Sequence, residues 1–132
     1  MLRRRLLLEW LPVVLWAGLI FWFSAQPDLR VSSQNDIDFV VRKAGHMVVF
    51  GVLAILLWRA ISAASIRRPM LWSWVLAALY AVSDEFHQSF TGGRNPSPID
   101  VGIDSAGAFI GLAALTAWQI WRTRRRYSSP ST

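Results

Sequence analysis

The chain has no cysteine. That absence excludes a disulfide scaffold, a thiol nucleophile and a thiolate metal site. Charge is also scarce. Asp, Glu, Lys and Arg make up 17% of the residues against 54% hydrophobic ones, a balance soluble domains rarely show. The glycine pattern of a P-loop, the G-x-S-x-G elbow of serine hydrolases and the H-E-x-x-H pair of zinc peptidases are all missing, so those chemistries lack their usual signatures. No internal repeat is visible.

What is present points to a bilayer. A length of 132 residues suits one domain. Eight tryptophans are many for that length, and indole is favoured where one edge is dry and the other wet. The formal net charge of +6 is not spread as nucleic-acid binding requires. It sits in short clusters between apolar runs, at Arg3, Arg4 and Arg5, at Arg67 and Arg68, and at Arg122, Arg124, Arg125 and Arg126. Such clusters flank membrane helices, and no nucleic-acid partner is expected.

The apolar runs predict an all-α, polytopic membrane protein built as a bundle of four transmembrane helices. The first run covers residues 6–23, broken only by Glu9 and Pro12, and reads as an uncleaved helix rather than a signal peptide. Glu9 stands four residues from Arg5, which predicts an ion pair at the membrane edge. The second helix starts near Asn35 or Asp36 as a cap and runs through residues 47–58. The third covers residues 70–83, extended by Phe86, and the fourth residues 103–121. Residues 1–121 form the membrane domain. Residues 122–132 read as a basic, disordered cytoplasmic tail.

Four spans put both termini on one side, and the charges say which. Arg59 falls with the three clusters. Arg30, Arg42, Lys43 and Arg94 fall opposite, together with Asp28, Asp36, Asp38, Asp84, Glu85, Asp100 and Asp104. The excess of arginine places both termini in the cytoplasm, an N-in/C-in topology. Trp10, Trp58, Trp72, Trp74, Trp118 and Trp121 fall near that same interface.

This topology brings separate segments to one outer surface. Lys43, His46 and Phe50 share a face of the second helix. Tyr80, Asp84, His87 and Gln88 share a face at the end of the third. Asp100, Asp104, Gly107 and Gly111 share a face of the fourth. Polar groups at membrane depth usually face the bundle interior and mark function. His46, Asp84, His87 and Asp100 are the candidate catalytic residues. Lys43, Glu85, Gln88, Arg94 and Asp104 are candidates for holding a ligand, with Lys43 and Arg94 each expected to pair with a carboxylate. Each has a plainer alternative: Asp100 as a helix cap, Lys43 as a snorkelling side chain, Glu85 as a solvated carboxylate. Gly107 and Gly111 form Gly-x-x-x-Gly, which favours close helix packing.

These residues also fall into blocks that resemble the VanZ-like family of small bacterial membrane proteins. The blocks are Phe23-Ser24-Ala25-Gln26-Pro27, then Lys43-x-x-His46-x-x-x-Phe50-x-x-Leu53, then Ser83-Asp84-Glu85-Phe86-His87-Gln88-x-Phe90, then Gly93-Arg94 through Asp100 to Asp104-x-x-Gly107-x-x-x-Gly111. They occur in order over about residues 20–112. Many members carry Asn where this chain has Asp104. The resemblance implies a multi-pass protein of the bacterial cytoplasmic (inner) membrane and cell envelope. It also implies a family named for resistance to the glycopeptide teicoplanin; it implies no reaction.

Three functions stay open on the residues. The outer site binds or modifies a phosphate-bearing lipid or lipid-linked cell-wall precursor, with Lys43, Arg42 and Arg94 on the head group and His46 or His87 in acid–base roles. Alternatively, His46, His87, Asp84, Asp100 and Asp104 hold a divalent metal in a membrane hydrolase. The third is a non-enzymatic subunit or ion pathway. Membrane lipids are the expected surroundings in every case, and the oligomeric state stays open.

Overall fold

The computed structural model describes residues 2–26, 35–90 and 97–127. Among them the chain forms four helices and no strand: α1 (Leu2–Ser24), α2 (Asn35–Ala63), α3 (Pro69–Gln88) and α4 (Pro98–Tyr127). Each helix carries one of the apolar runs. In hydrocarbon a run of this length must satisfy its own backbone polar groups, which a helix does. Proline marks two starts. Pro69 and Pro98 open α3 and α4, where the missing N–H is not needed by the helix.

Three helices carry stretches long and apolar enough to cross a membrane: Leu6–Ser24 of α1, Val40–Ala63 of α2 and Pro98–Arg126 of α4. α3 is not among them. It has 20 residues, about 30 Å, but Asp84, Glu85, His87 and Gln88 fill its last turn. The apolar part, residues 70–83, rises only about 21 Å.

Contacts between helices fix their directions. Glu9 meets Arg59 and Trp16 meets Val49, so α1 and α2 run antiparallel. Lys43 meets Asp100, His46 meets Asp104 and Gly51 meets Gly111. Those numbers climb together, so α2 and α4 run side by side in the same direction. Tyr80 meets Ala17 and Asp84 meets Ser24, so α1 and α3 also run parallel. α2 touches all three other helices, whereas among the described residues α1 and α4 do not touch.

The core follows from that centrality. Phe50, Leu53, Ala54, Leu57, Ala60 and Ile61 of α2 are buried, against Ala77 and Ala81 of α3 and Ala108 and Leu112 of α4. Small side chains at these contacts let helices approach where lipid supplies no hydrophobic drive. Indole and phenol groups add ties to helical carbonyls. Trp16 Nε1 donates to Val49 O at 2.9 Å, Trp74 Nε1 to Ser105 O at 3.1 Å, and Tyr80 Oη to Ala17 O at 2.6 Å. Leu7, Leu8, Leu11, Val14 and Leu15 stay exposed along α1, an apolar stripe that suits lipid rather than water.

Glu9 is in an ion pair with Arg59 at the far end of α2, at 2.9 Å, a partner that helix packing brings to it. The side chain of Arg5 lies outside the described residues. Helix α4 also continues through Tyr127, past the expected start of a disordered tail at 122. Arg122 and Arg125 lie over the rings of Trp118 and Trp121, and cations at a helix C-terminus complement its dipole. Residues 128–132 lie outside the described part.

Candidate functional site

All four helices deliver polar side chains to one end of the bundle. α1 ends there, α2 and α4 have their early turns there, and α3 closes there.

Two pairs line the seam between α2 and α4. The ammonium of Lys43 pairs with Asp100 Oδ1, and both side chains are about a quarter exposed. One turn deeper, His46 Nδ1 faces both oxygens of Asp104, at 3.2 Å and 3.4 Å. Asp104 is 2% exposed, so its charge is far from water. The spacing explains the match. Lys43 and His46 are three residues apart and Asp100 and Asp104 four apart, each set on one helical face. The His46 ring also stacks on Phe50 below it.

A second polar cluster joins α1 to α3. Asp84, 2% exposed, accepts from Ser24 Oγ at 2.7 Å and from Gln88 Nε2 at 2.9 Å, both on Oδ2. Gln88 Nε2 also donates to Ser24 Oγ at 2.6 Å. Asp84 lies near enough to His46 and Asp104 to interact with both electrostatically, so the two clusters share one electrostatic environment. Its other oxygen, Oδ1, is buried without a hydrogen-bond partner among the described residues.

Glu85 and His87 take different places. Glu85 is buried and its Oε1 accepts the Ser97 backbone N–H at 2.7 Å. That contact excludes the solvated alternative and ties the approach of α4 to the end of α3. His87 stacks on Phe21 with ring centroids 4.0 Å apart, and its Nε2 is buried without a partner among the described residues. Asp100, offered as a cap, uses its carboxylate on Lys43 instead. Arg94 lies outside the described residues.

Below the site, Gly107 and Gly111 of α4 press on α2. A Cβ added to Gly107 would lie 2.5 Å from Met47 Cα, and one added to Gly111 would lie 2.7 Å from Gly51 Cα. The backbones themselves are in contact, which only glycine permits. The sequence reading had the two α4 glycines but not their partner Gly51.

Ser24 is the other residue that sequence reasoning passed over. Its signal was present, since it sits inside the Phe23–Pro27 block and ends an apolar helix where a polar group is unexpected. On metal binding the geometry is plain. Among the described residues no three His, Asp or Glu side chains gather as a ligand set.

The arrangement holds an ammonium and an imidazole against two carboxylates at a helix seam, beside a buried Ser–Asp–Gln cluster. It suits exchange of carboxylate partners for another anion. Among curated proteins and among solved structures nothing matches the chain. The sequence profile of the VanZ/LLP1 family does match, over residues 9–121, a stretch that reaches into all four helices and includes every described residue of the site. The chain belongs to the VanZ/LLP1 family.

Proposed function

We propose that this chain is a four-pass protein of the bacterial inner membrane. In this reading, its outward-facing site binds the phosphate-bearing head group of a lipid-linked cell-wall precursor. The observation that carries the reading is the seam, where Lys43 and His46 each face a carboxylate of α4. A phosphate offers charge of the same sign as Asp100 in a form that can accept several hydrogen bonds, so it competes for Lys43. His46, oriented through Nδ1 by Asp104, is then the acid–base candidate beside the head group. Any link to teicoplanin resistance runs through the precursor so bound.

Direction supports the four crossings. α2 and α4 run parallel, so the chain leaving α2 must be carried back before α4 begins. If α2 and α4 span the bilayer, α3 spans it too, despite its short apolar part, with its polar last turn near the outer head groups. The arginine clusters then place both termini inside. Reporter fusions after Arg68 and Thr132 should read cytoplasmic and one after Thr91 external. A cytoplasmic reading at Thr91 would overturn the topology.

Binding is tested on the purified protein in lipid nanodiscs. A polyprenyl phosphate should bind at least tenfold more tightly than the same polyprenol, and the preference should fall with salt. Equal binding of the two would rule out head-group recognition.

A further inference from the structure

Between α1 and α2 lies a cavity of about 300 Å³. Both helices are apolar enough to span the membrane, so this cavity lies along the hydrocarbon. Its walls are almost wholly apolar, and its polar lining is Arg42, His46 and Ser24. Those three come from the site end of the two helices. Ile20, buried, forms the floor, and Leu19, Phe23 and Val41 are exposed at the rims. Trp16 lines the groove one to two helical turns from those polar groups, and its indole N–H donates to Val49 O at 2.9 Å.

We propose that this cavity is a lateral groove that holds the hydrocarbon chain of the ligand while its phosphate lies at Arg42, His46 and Lys43. The inference rests on the head-group reading above and adds the place of the lipid's hydrocarbon chain and its route of entry, sideways from the bilayer. Charge complementarity supports this occupant. The groove is basic at one end and apolar along the rest, as an anionic amphiphile is. The groove also joins the two parts of the site, because His46 lines it and pairs with Asp104 on the other side. Trp16 sets how deep a chain can reach.

Gly45 provides the test. It lines the groove, and a Cβ built on it meets nothing within 4 Å. Gly45→Leu therefore fills the groove without a backbone clash. Gly18, where an added Cβ also meets nothing within 4 Å, lies outside the groove and serves as the control in Gly18→Leu. Val41→Phe fills the groove from its rim and stands in should Gly45→Leu unfold. Binding of polyprenol, which has the chain and no phosphate, reports the groove. The preference for polyprenyl phosphate over polyprenol reports the head-group site. Gly45→Leu and Val41→Phe should weaken polyprenol binding at least tenfold while Gly18→Leu leaves it unchanged. Trp16→Ala should strengthen binding of longer chains over shorter ones. If the groove-filling variants bind polyprenol like the wild type, the groove inference falls, whatever the phosphate preference. If they weaken polyprenol binding and the wild type shows no phosphate preference, the head-group reading falls and the groove stands as a site for a neutral chain.

Discussion

Replacing Gly107 with leucine should abolish the folded protein. Two effects compete at this position. Alanine or leucine in place of glycine improves helix propensity by up to about 1 kcal/mol. Against that stands the α2 backbone, with Met47 Cα only 2.5 Å from an added Cβ. Backbone cannot rotate away as a side chain can, so α4 must move off α2 by about an ångström even for alanine. Overpacking of this kind costs about 3 kcal/mol and more for a large side chain, enough to outweigh propensity. The displacement also pulls Asp100 and Asp104 away from Lys43 and His46. Gly107→Ala should lower the unfolding temperature in detergent, and Gly107→Leu should give only aggregate on size exclusion. Gly111→Leu should match it, because its added Cβ would meet Gly51. Gly18→Leu should unfold like the wild type. A monodisperse Gly107→Leu protein with wild-type unfolding would refute the backbone contact.

The four helices and the gathering of polar residues were legible because both depend on local pattern. Apolar runs mark helices, and alternating direction brings residues 43–46, 84–88 and 100–104 to one end. Partners were not legible, because they depend on how each helix is rotated and how far it slides. Glu9 finds Arg59 across the bundle, Ser24 finds Asp84, and Glu85 finds a backbone N–H twelve positions on. The helical stretch at residues 122–127 was missed for a related reason. Its composition is polar, but the arginines fold back over Trp118 and Trp121.

The second large effect separates the two ends of one ion pair. Lys43→Ala should reduce the preference for polyprenyl phosphate at least tenfold, about 1.4 kcal/mol. Asp100→Asn should change it in the opposite direction, because the amide no longer competes for the ammonium. Stability should respond differently. Lys43→Ala strands a carboxylate that is only about a quarter exposed. The cost falls between the surface limit near 1 kcal/mol and the buried limit of about 3–5 kcal/mol. Lys43→Ala/Asp100→Ala should recover part of that loss and still show no phosphate preference. The measurements are thermal unfolding and lipid binding on the same preparations. If Lys43→Ala and Asp100→Asn shift binding the same way, the pair is structural and the anion is held elsewhere.

The glycine contact between α2 and α4 also limits how far the two helices can slide. A one-turn slip that brought Asp104 opposite Lys43 would put Leu115 where Gly111 now meets Gly51, and would leave His46 opposite Ala108 and Asp100 without Lys43. Glycine and charge therefore lock the same register, and a phosphate that takes Lys43 from Asp100 releases the charged lock while the glycine lock holds.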